Sequence, residues 1–206
     1  MARIAIYGGT FDPPHIGHLH AAQAAYEALA LDHVLFIPAN IPPHKMLSPN
    51  SATPQQRFEM VSLAVSSYPW AVASDIELRA EGKSYTVDTL RKLRELYPQD
   101  ELWMIIGTDM LLSLHHWYCP EEIMKIASVA VVGRNFGDMP ALSEAKARLE
   151  ADYGARICII DCEPLPISST QVRCMKTNET WADFVVPAVN AYIAANGLYQ
   201  NDAKEV

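Results

Sequence analysis

Two histidines three positions apart, His15 and His18, fall in the run Gly8-Gly9-Thr10-Phe11-Asp12-Pro13-Pro14-His15-Ile16-Gly17-His18-Leu19. The run follows a short apolar strand pattern and enters a long helical one. Strand, Gly-rich turn and helix start together aim backbone N–H groups and the positive helix end at one spot, which favours a phosphate. His15 and His18 add titratable donors to that spot. Two further basic residues stand where helix starts ordinarily take acidic ones. Arg57 follows a start marked by Thr53, Pro54 and Gln56, a capping box with proline at the first helical position. Arg173 lies one turn into a start rich in hydroxyls, Ile167-Ser168-Ser169-Thr170-Gln171-Val172-Arg173. A solvated arginine beside a cap accounts for either case alone. With His18 there are three, and phosphate oxygens would compensate both the unpaired N–H groups and the guanidinium, which binds them through two parallel hydrogen bonds. The expected ligand is therefore polyphosphorylated.

The elements that must position these residues are legible in the hydrophobic pattern. Apolar runs rich in β-branched residues alternate with helical patterns along nearly the whole chain, the βαβ signature of a mostly parallel sheet with helices on both faces. The expected fold is α/β, a Rossmann-like doubly wound sheet in a single domain over residues 1–206. Strands are expected at residues 3–7, 33–38, 70–76, 102–107, 128–133 and 156–161. The first helix is expected over 16–31, with Leu19, Ala22, Tyr26 and Leu29 as its core stripe, and the last over 187–196, stopped by Gly197. Another opens at Tyr85 and Thr86 and runs to Leu96. Gly107-Thr108-Asp109 ends the fourth strand pattern, and Asp109 reads either as the N-cap of the next helix or as an acceptor for ribose hydroxyls. In doubly wound sheets the loops after strands one and four flank the ligand crevice, which favours the second use. Residues 38–53 carry Pro38, Pro42, Pro43 and Pro49 and are longer than most idle connections. They leave the same carboxyl edge as the first strand, so an active-site loop is expected there, with His44 and Lys45 as its basic residues.

Composition narrows the classes of partner. A chain of 206 residues suits one core, and 50% hydrophobic with 19% charged residues is the balance of an ordinary globular protein. A net charge of −8 disfavours nonspecific nucleic-acid binding but not a small anionic substrate held by gathered basic residues. No run approaches the roughly 20 apolar residues of a membrane span. Met1-Ala2-Arg3 leads straight into a strand pattern without the apolar region of a signal peptide, so a cytoplasmic location is expected. Cys119, Cys158, Cys162 and Cys174 show no Cys-x-x-Cys spacing, and reduced, mostly buried thiols are expected. A zinc site using His115 or His116 is the alternative.

The His-Ile-Gly-His string after strand one and the Ile-Ser-Ser-Thr-x-x-Arg string near the end resemble the nucleotidyltransferase superfamily. Within it, Gly8 to Leu19, Pro42-Pro43-His44-Lys45, Ser84-Tyr85-Thr86, Gly107-Thr108-Asp109 with Trp117 eight residues on, and Ile167 to Arg173 resemble the bacterial nicotinate-nucleotide adenylyltransferases, in the same order over nearly the whole chain. The resemblance implies ATP and nicotinate mononucleotide as substrates, deamido-NAD and pyrophosphate as products, and Mg²⁺ bound through the ATP phosphates, with no metal ligand from the protein. It implies a catalytic set of His15, His18 and Arg173, with His18 closest to the α-phosphate. Lys45, Ser169, Thr170 and Arg173 would hold the β- and γ-phosphates. Gly8, Gly9, Thr10, Phe11, Gly107 and Ser168 would complete the ATP site, and Asp109 would sit on ribose. The acceptor nucleotide would fall to Tyr85, Thr86, Trp117, Lys45 and Arg134. Trp117 would stack on the cationic pyridinium, unless it is a core aromatic at a helix end. N–H groups at the Tyr85-Thr86 helix start would take the carboxylate. Other readings are an enzyme acting on nicotinamide mononucleotide or phosphopantetheine, and a nucleotide-binding regulatory protein without catalysis. A class I aminoacyl-tRNA synthetase, suggested by His-Ile-Gly-His and faintly by Lys45-Met46-Leu47-Ser48, fails on size, acidity and position.

Overall fold

The structure is a computed structural model that describes residues 1–43, 46–80, 82–133, 139–163, 165–175 and 183–199. Lys45 and Arg134, expected at the site, lie outside the described residues, as does His44. The strands are β1 (Arg3–Gly9), β2 (His33–Pro38), β3 (Ala71–Ala73), β4 (Glu101–Gly107), β5 (Ser128–Val132) and β6 (Ile157–Ile160). They form one sheet in the order β3-β2-β1-β4-β5-β6, and β1–β4, β4–β5 and β5–β6 pair in parallel. All five residues of β5 are buried, the signature of a strand covered on both faces.

Helices fill the crossovers: α1 (Ile16–Leu29), α2 (Pro54–Val65), α3 (Thr86–Leu96), α4 (Thr108–Ser113), α5 (Pro120–Ile126), α6 (Met139–Tyr153), α7 (Ser169–Cys174) and α8 (Pro187–Ala195). Because parallel crossovers are right-handed, a chain that winds outward from β1 in both directions lays helices on opposite faces, as a doubly wound sheet requires. The order reverses beside β1, so the carboxyl ends of β1 and β4 mark the crevice where such sheets bind ligands.

Local chemistry explains most boundaries. Thr53 caps α2, accepting from the Gln56 N–H at 3.2 Å while the Gln56 side chain accepts from the Thr53 N–H at 2.9 Å, the expected capping box with Pro54 opening the helix. Helix α3 buries Val87, Leu90 and Leu93 on one face. Gly197 takes φ +60° after α8, the left-handed stop a glycine supplies.

Several expectations need correction. The third strand is only Ala71–Ala73, although the Ser74 N–H beyond it still donates to the Phe36 carbonyl of β2 at 2.9 Å. Helix α1 ends at Leu29, where Ala30 turns left-handed at φ +47°. Its buried residues are Leu19, Ala22 and Ala25, and Tyr26 and Leu29 stay half exposed. Gly8 and Gly9 belong to β1 and not to a turn. The four cysteines are free but not buried; Cys174 is exposed and the others are intermediate. Among the described residues no three His, Cys, Asp or Glu side chains gather as a metal site, and His115 faces Arg148 instead, Nδ1 to Nη2 3.3 Å.

The chain divides into two compact units. The first comprises Met1–Gly8, Ala21–Leu35 and Tyr85–Pro164; the second comprises Gly9–His20, Phe36–Ser84 and Leu165–Val206. The second has its own apolar cluster of Ala52, Met60, Ala64, Ile167, Val172, Val185, Val189, Ile193 and Tyr199. No helix of the described residues is long and apolar enough to cross a membrane.

Candidate active site

In the second unit the two histidines are brought together at the start of α1. The His15 main-chain N–H donates to Nδ1 of His18 at 3.1 Å, and the His18 N–H donates to the His15 carbonyl at 2.9 Å. His18 thus does what Glu or Gln does in a capping box, reaching back from the third helical position to the N-cap N–H. An Nδ1 that accepts carries no proton, so the neutral ring is protonated at Nε2 and presents an N–H donor there. The two rings stack with centroids 3.7 Å apart, and Phe11 meets His18 edge-on at 4.9 Å. His15 is buried at 6% exposure, whereas His18 is half exposed.

The glycines follow from this packing and not from backbone freedom. A Cβ on Gly17 would stand 3.0 Å from His15 Nδ1 and 3.1 Å from an Ile167 methyl, so only glycine lets the imidazole lie over the first helical turn. A Cβ on Gly9 would meet the Phe11 ring at 3.0 Å. Phe11 itself takes the left-handed conformation, φ +51°, and is buried beneath the site.

The string at α7 joins the same ensemble. Ser168 caps the helix, accepting from the Gln171 N–H at 3.2 Å, and Ser169 donates its hydroxyl to the Pro13 carbonyl at 2.9 Å. Arg173 Nη1 donates to the Asp12 carbonyl at 2.7 Å, and Nη2 donates to Thr170 Oγ1 at 3.3 Å. The side chain keeps 11% exposure. His15, His18, Ser168, Ser169, Thr170 and Arg173 therefore occupy one framework, tied through the main chain of Asp12 and Pro13. Thr10 enters it through its carbonyl, which accepts from Arg57.

Arg57 does not fit the expectation that drew it to a phosphate. It is fully buried, and its guanidinium donates to three main-chain carbonyls: Nε to Ala52 at 3.3 Å, Nη1 to Thr10 at 2.8 Å and Nη2 to Asn40 at 3.2 Å. Burial lowers its pKa from the ordinary guanidinium value, opposed foremost by the Asp12 charge. Arg57 pins the irregular segment after β2 to the histidine loop, as do the Ala39 N–H on the Gly9 carbonyl at 2.9 Å and the Ala52 N–H on Asp12 Oδ1 at 3.0 Å.

In the first unit, Gly8 is the penultimate residue of β1 and Gly107 the last of β4, and a Cβ on either would meet nothing within 4 Å among the described residues. Protein packing does not require glycine there, whereas close approach of a ligand would. Asp109 is not the N-cap of α4: Gly107 holds that position, and Asp109 is an exposed residue of the first turn. Thr108 is already helical and buried, and the Asp109 carboxylate is exposed to solvent. Tyr85 is the N-cap of α3 without a side-chain cap hydrogen bond, so the N–H groups of that helix start have no side-chain oxygen at the cap. Trp117 ends the short 3-10 turn Leu114–His116, its N–H on the Leu114 carbonyl at 3.1 Å, and it is half exposed, which excludes a fully buried core aromatic. Beside it Tyr118, which the sequence did not single out, packs on Tyr85 with ring centroids 4.9 Å apart. Asp12 and Tyr199 were likewise missed. Asp12 sits within the histidine string, where an acidic residue amid phosphate ligands was a usable signal; Tyr199 gave none.

The chain was compared with known proteins. The cytidylyltransferase-like family matches residues 6–175. A probable nicotinate-nucleotide adenylyltransferase of Carboxydothermus hydrogenoformans is 38% identical over 200 residues, covering 97% of this chain and 98% of the relative. One of Clostridium perfringens is 38% identical over 203 residues, covering 98% and 100%. Nicotinic acid mononucleotide adenylyltransferase of Plasmodium falciparum, solved in complex with NaAD, superposes with a TM-score of 0.77 at 18% identity over 97% of this chain and 98% of that one, a likeness of fold. By sequence over almost its whole length, this chain belongs to the nicotinate-nucleotide adenylyltransferase family.

Proposed function

We propose that the chain transfers the adenylyl group of ATP to nicotinate mononucleotide, forming deamido-NAD and releasing pyrophosphate, a step of NAD biosynthesis. The observation that carries this reading is the stacked His15–His18 pair, fixed by the His15 N–H to His18 Nδ1 bond, in one framework with Thr170 and Arg173. The acceptor phosphate is already largely ionised at neutral pH, its second pKa being about 6, so it attacks the α-phosphorus without a strong base. One P–O bond forms to the acceptor oxygen as the bond to pyrophosphate breaks. The protein has to align the two in line and stabilise charge on the α-phosphoryl and the leaving group. His18, protonated at Nε2, is a donor and not a base, which suits it to the α-phosphoryl oxygens. Arg173 and Thr170, with Lys45, bind the β- and γ-phosphates. The N–H and guanidinium donors gathered here are suited to phosphate oxygens. Mg²⁺ brought in with ATP would supply charge neutralisation for the pyrophosphate leaving group.

For the acceptor, the uncapped start of α3 at Tyr85 and Thr86 favours a carboxylate over a carboxamide, because unpaired N–H groups and the helix dipole both select negative charge. Trp117 and the Tyr85–Tyr118 pair supply aromatic faces for a cationic ring, a contact worth about 0.5–2 kcal/mol. Purified protein with MgATP is expected to release pyrophosphate with nicotinate mononucleotide, more slowly with nicotinamide mononucleotide and not with phosphopantetheine. Binding of ATP without pyrophosphate release on any acceptor would leave a non-catalytic nucleotide-binding protein.

A further inference from the structure

We propose that Tyr199 and Asp12 are positioning residues for Arg173, so that the end of the described chain sets the orientation of a guanidinium in the helix α7 string. The inference rests on the reading of Arg173 as a triphosphate ligand. Asp12 is buried at 1% exposure, and its Oδ1 accepts both the Ala52 N–H at 3.0 Å and the Tyr199 hydroxyl at 2.7 Å. Those two donors fix the plane of the carboxylate. Its other oxygen, Oδ2, takes no hydrogen bond among the described residues and lies 3.8 Å from Arg173 Nη1. That separation is longer than a charge-assisted hydrogen bond, yet short enough to attract the cation.

Arg173 is thus held between two acceptors of the same residue. Its Nη1 is bonded to the Asp12 carbonyl at 2.7 Å, while Nη2 is directed to Thr170 at 3.3 Å. The Tyr199 hydroxyl decides which acceptor wins. With it in place, Oδ2 is kept from closing on Nη1. Without it, the carboxylate is free to turn, form a direct ion pair and draw the guanidinium toward the core. Tyr199 is well fixed for this task. Its ring belongs to the apolar cluster with Met60, Ile167, Val172 and Val189, and its backbone turns left-handed at φ +63°. Burial and the Asp12 charge also keep its hydroxyl protonated far above the ordinary tyrosine range, so it remains a donor.

The test is a double-mutant cycle on the full chain, read by pyrophosphate release and by thermal melting, with Tyr199→Phe, Asp12→Asn, Arg173→Ala and the two pairwise combinations with Arg173→Ala. Tyr199→Phe is expected to lower kcat/KM for ATP about tenfold, the size of a typical coupling between contacting residues, and to leave KM for nicotinate mononucleotide unchanged. Asp12→Asn, which keeps shape and removes charge, is expected to act in the same direction. In the Arg173→Ala background neither change should matter by more than about twofold, because the residue they position is gone. Losses that multiply in the double variants would overturn the proposal, as would a Tyr199→Phe enzyme that melts earlier but keeps its ATP kinetics. If Arg173→Ala itself left ATP kinetics intact, the ligand role of Arg173 would fall and the positioning role with it.

Discussion

The starts of helices α2 and α7 look alike in sequence and differ in what they do. Each has a hydroxyl N-cap whose oxygen accepts the N–H three residues on, each lacks an acidic residue in its first turn, and each carries an arginine about one turn in. Yet Arg57 is fully buried on three main-chain carbonyls, while Arg173 keeps its Nη2 edge at the half-exposed hydroxyl string. A guanidinium whose donors are used internally holds loops in place. One that retains an accessible edge can meet a ligand. A cation at a helix start therefore signals an anion only where the fold leaves part of its donor edge unspent on main-chain carbonyls, as at Arg173 and not at Arg57.

The sharpest way to break this comparison is to remove each arginine. Arg57→Met is expected to cost about 3–5 kcal/mol, because three buried carbonyls and the Asp12 charge lose their partner. At about 2–4 °C per kcal/mol, that is a Tm drop of roughly 6–20 °C, measured by calorimetry, with ATP kinetics of the folded enzyme little changed. Arg173→Ala should show the reverse pattern, a loss of kcat/KM for ATP on the order of 100-fold with a small shift in Tm. If Arg57→Met cost activity at temperatures where it is fully folded, the division of labour drawn here would be wrong.

Substitution can also separate two roles within one residue, His18. His18→Ala is expected to lower kcat by about two to three orders of magnitude through loss of the Nε2–H donor, and to cost about 1 kcal/mol of stability through loss of the reach-back acceptor. His18→Gln, which restores an oxygen able to accept the His15 N–H, should recover the stability but not the rate. Recovery of the rate by glutamine would mean that the imidazole serves only as a cap.

The smallest effect concerns the tie between α2 and α8, where the Tyr192 hydroxyl donates to Glu59. That hydrogen bond, foremost, and a second from Gln55 hold the Glu59 carboxyl below its ordinary pKa. A carboxyl depressed in the folded state stabilises above its unfolded pKa and loses that contribution as pH falls through the folded one. Tyr192→Phe should therefore lower Tm slightly at pH 7, and the gap from wild type should close in acid, below the ordinary carboxyl range. A gap that stays constant down to pH 3 would show that packing, not the charged hydrogen bond, makes the tie.

Much of the fold was legible because its signals are local. The capping box at Thr53, the Gly197 stop and the apolar runs of β1, β2, β4 and β5 act through neighbours a few residues away, and the structure keeps them. Family strings were legible for the same reason, being contiguous. Errors arose where a boundary or a role depends on distant chain. The short β3 and the shifted cap at Gly107 are of this kind, as are the half-exposed cysteines.

The chemistry available could be read along the chain: two histidines at a helix start, a hydroxyl-rich string ending in an arginine, and glycines closing the first and fourth strand patterns. Folding settled how that chemistry is divided. Arg57 reaches Thr10 across 47 residues, Arg173 reaches Asp12 across 161, and Tyr199 reaches Asp12 across 187. A buried guanidinium or carboxylate takes its role from the dipoles that replace its water, and which dipoles arrive is settled by chain far away in sequence.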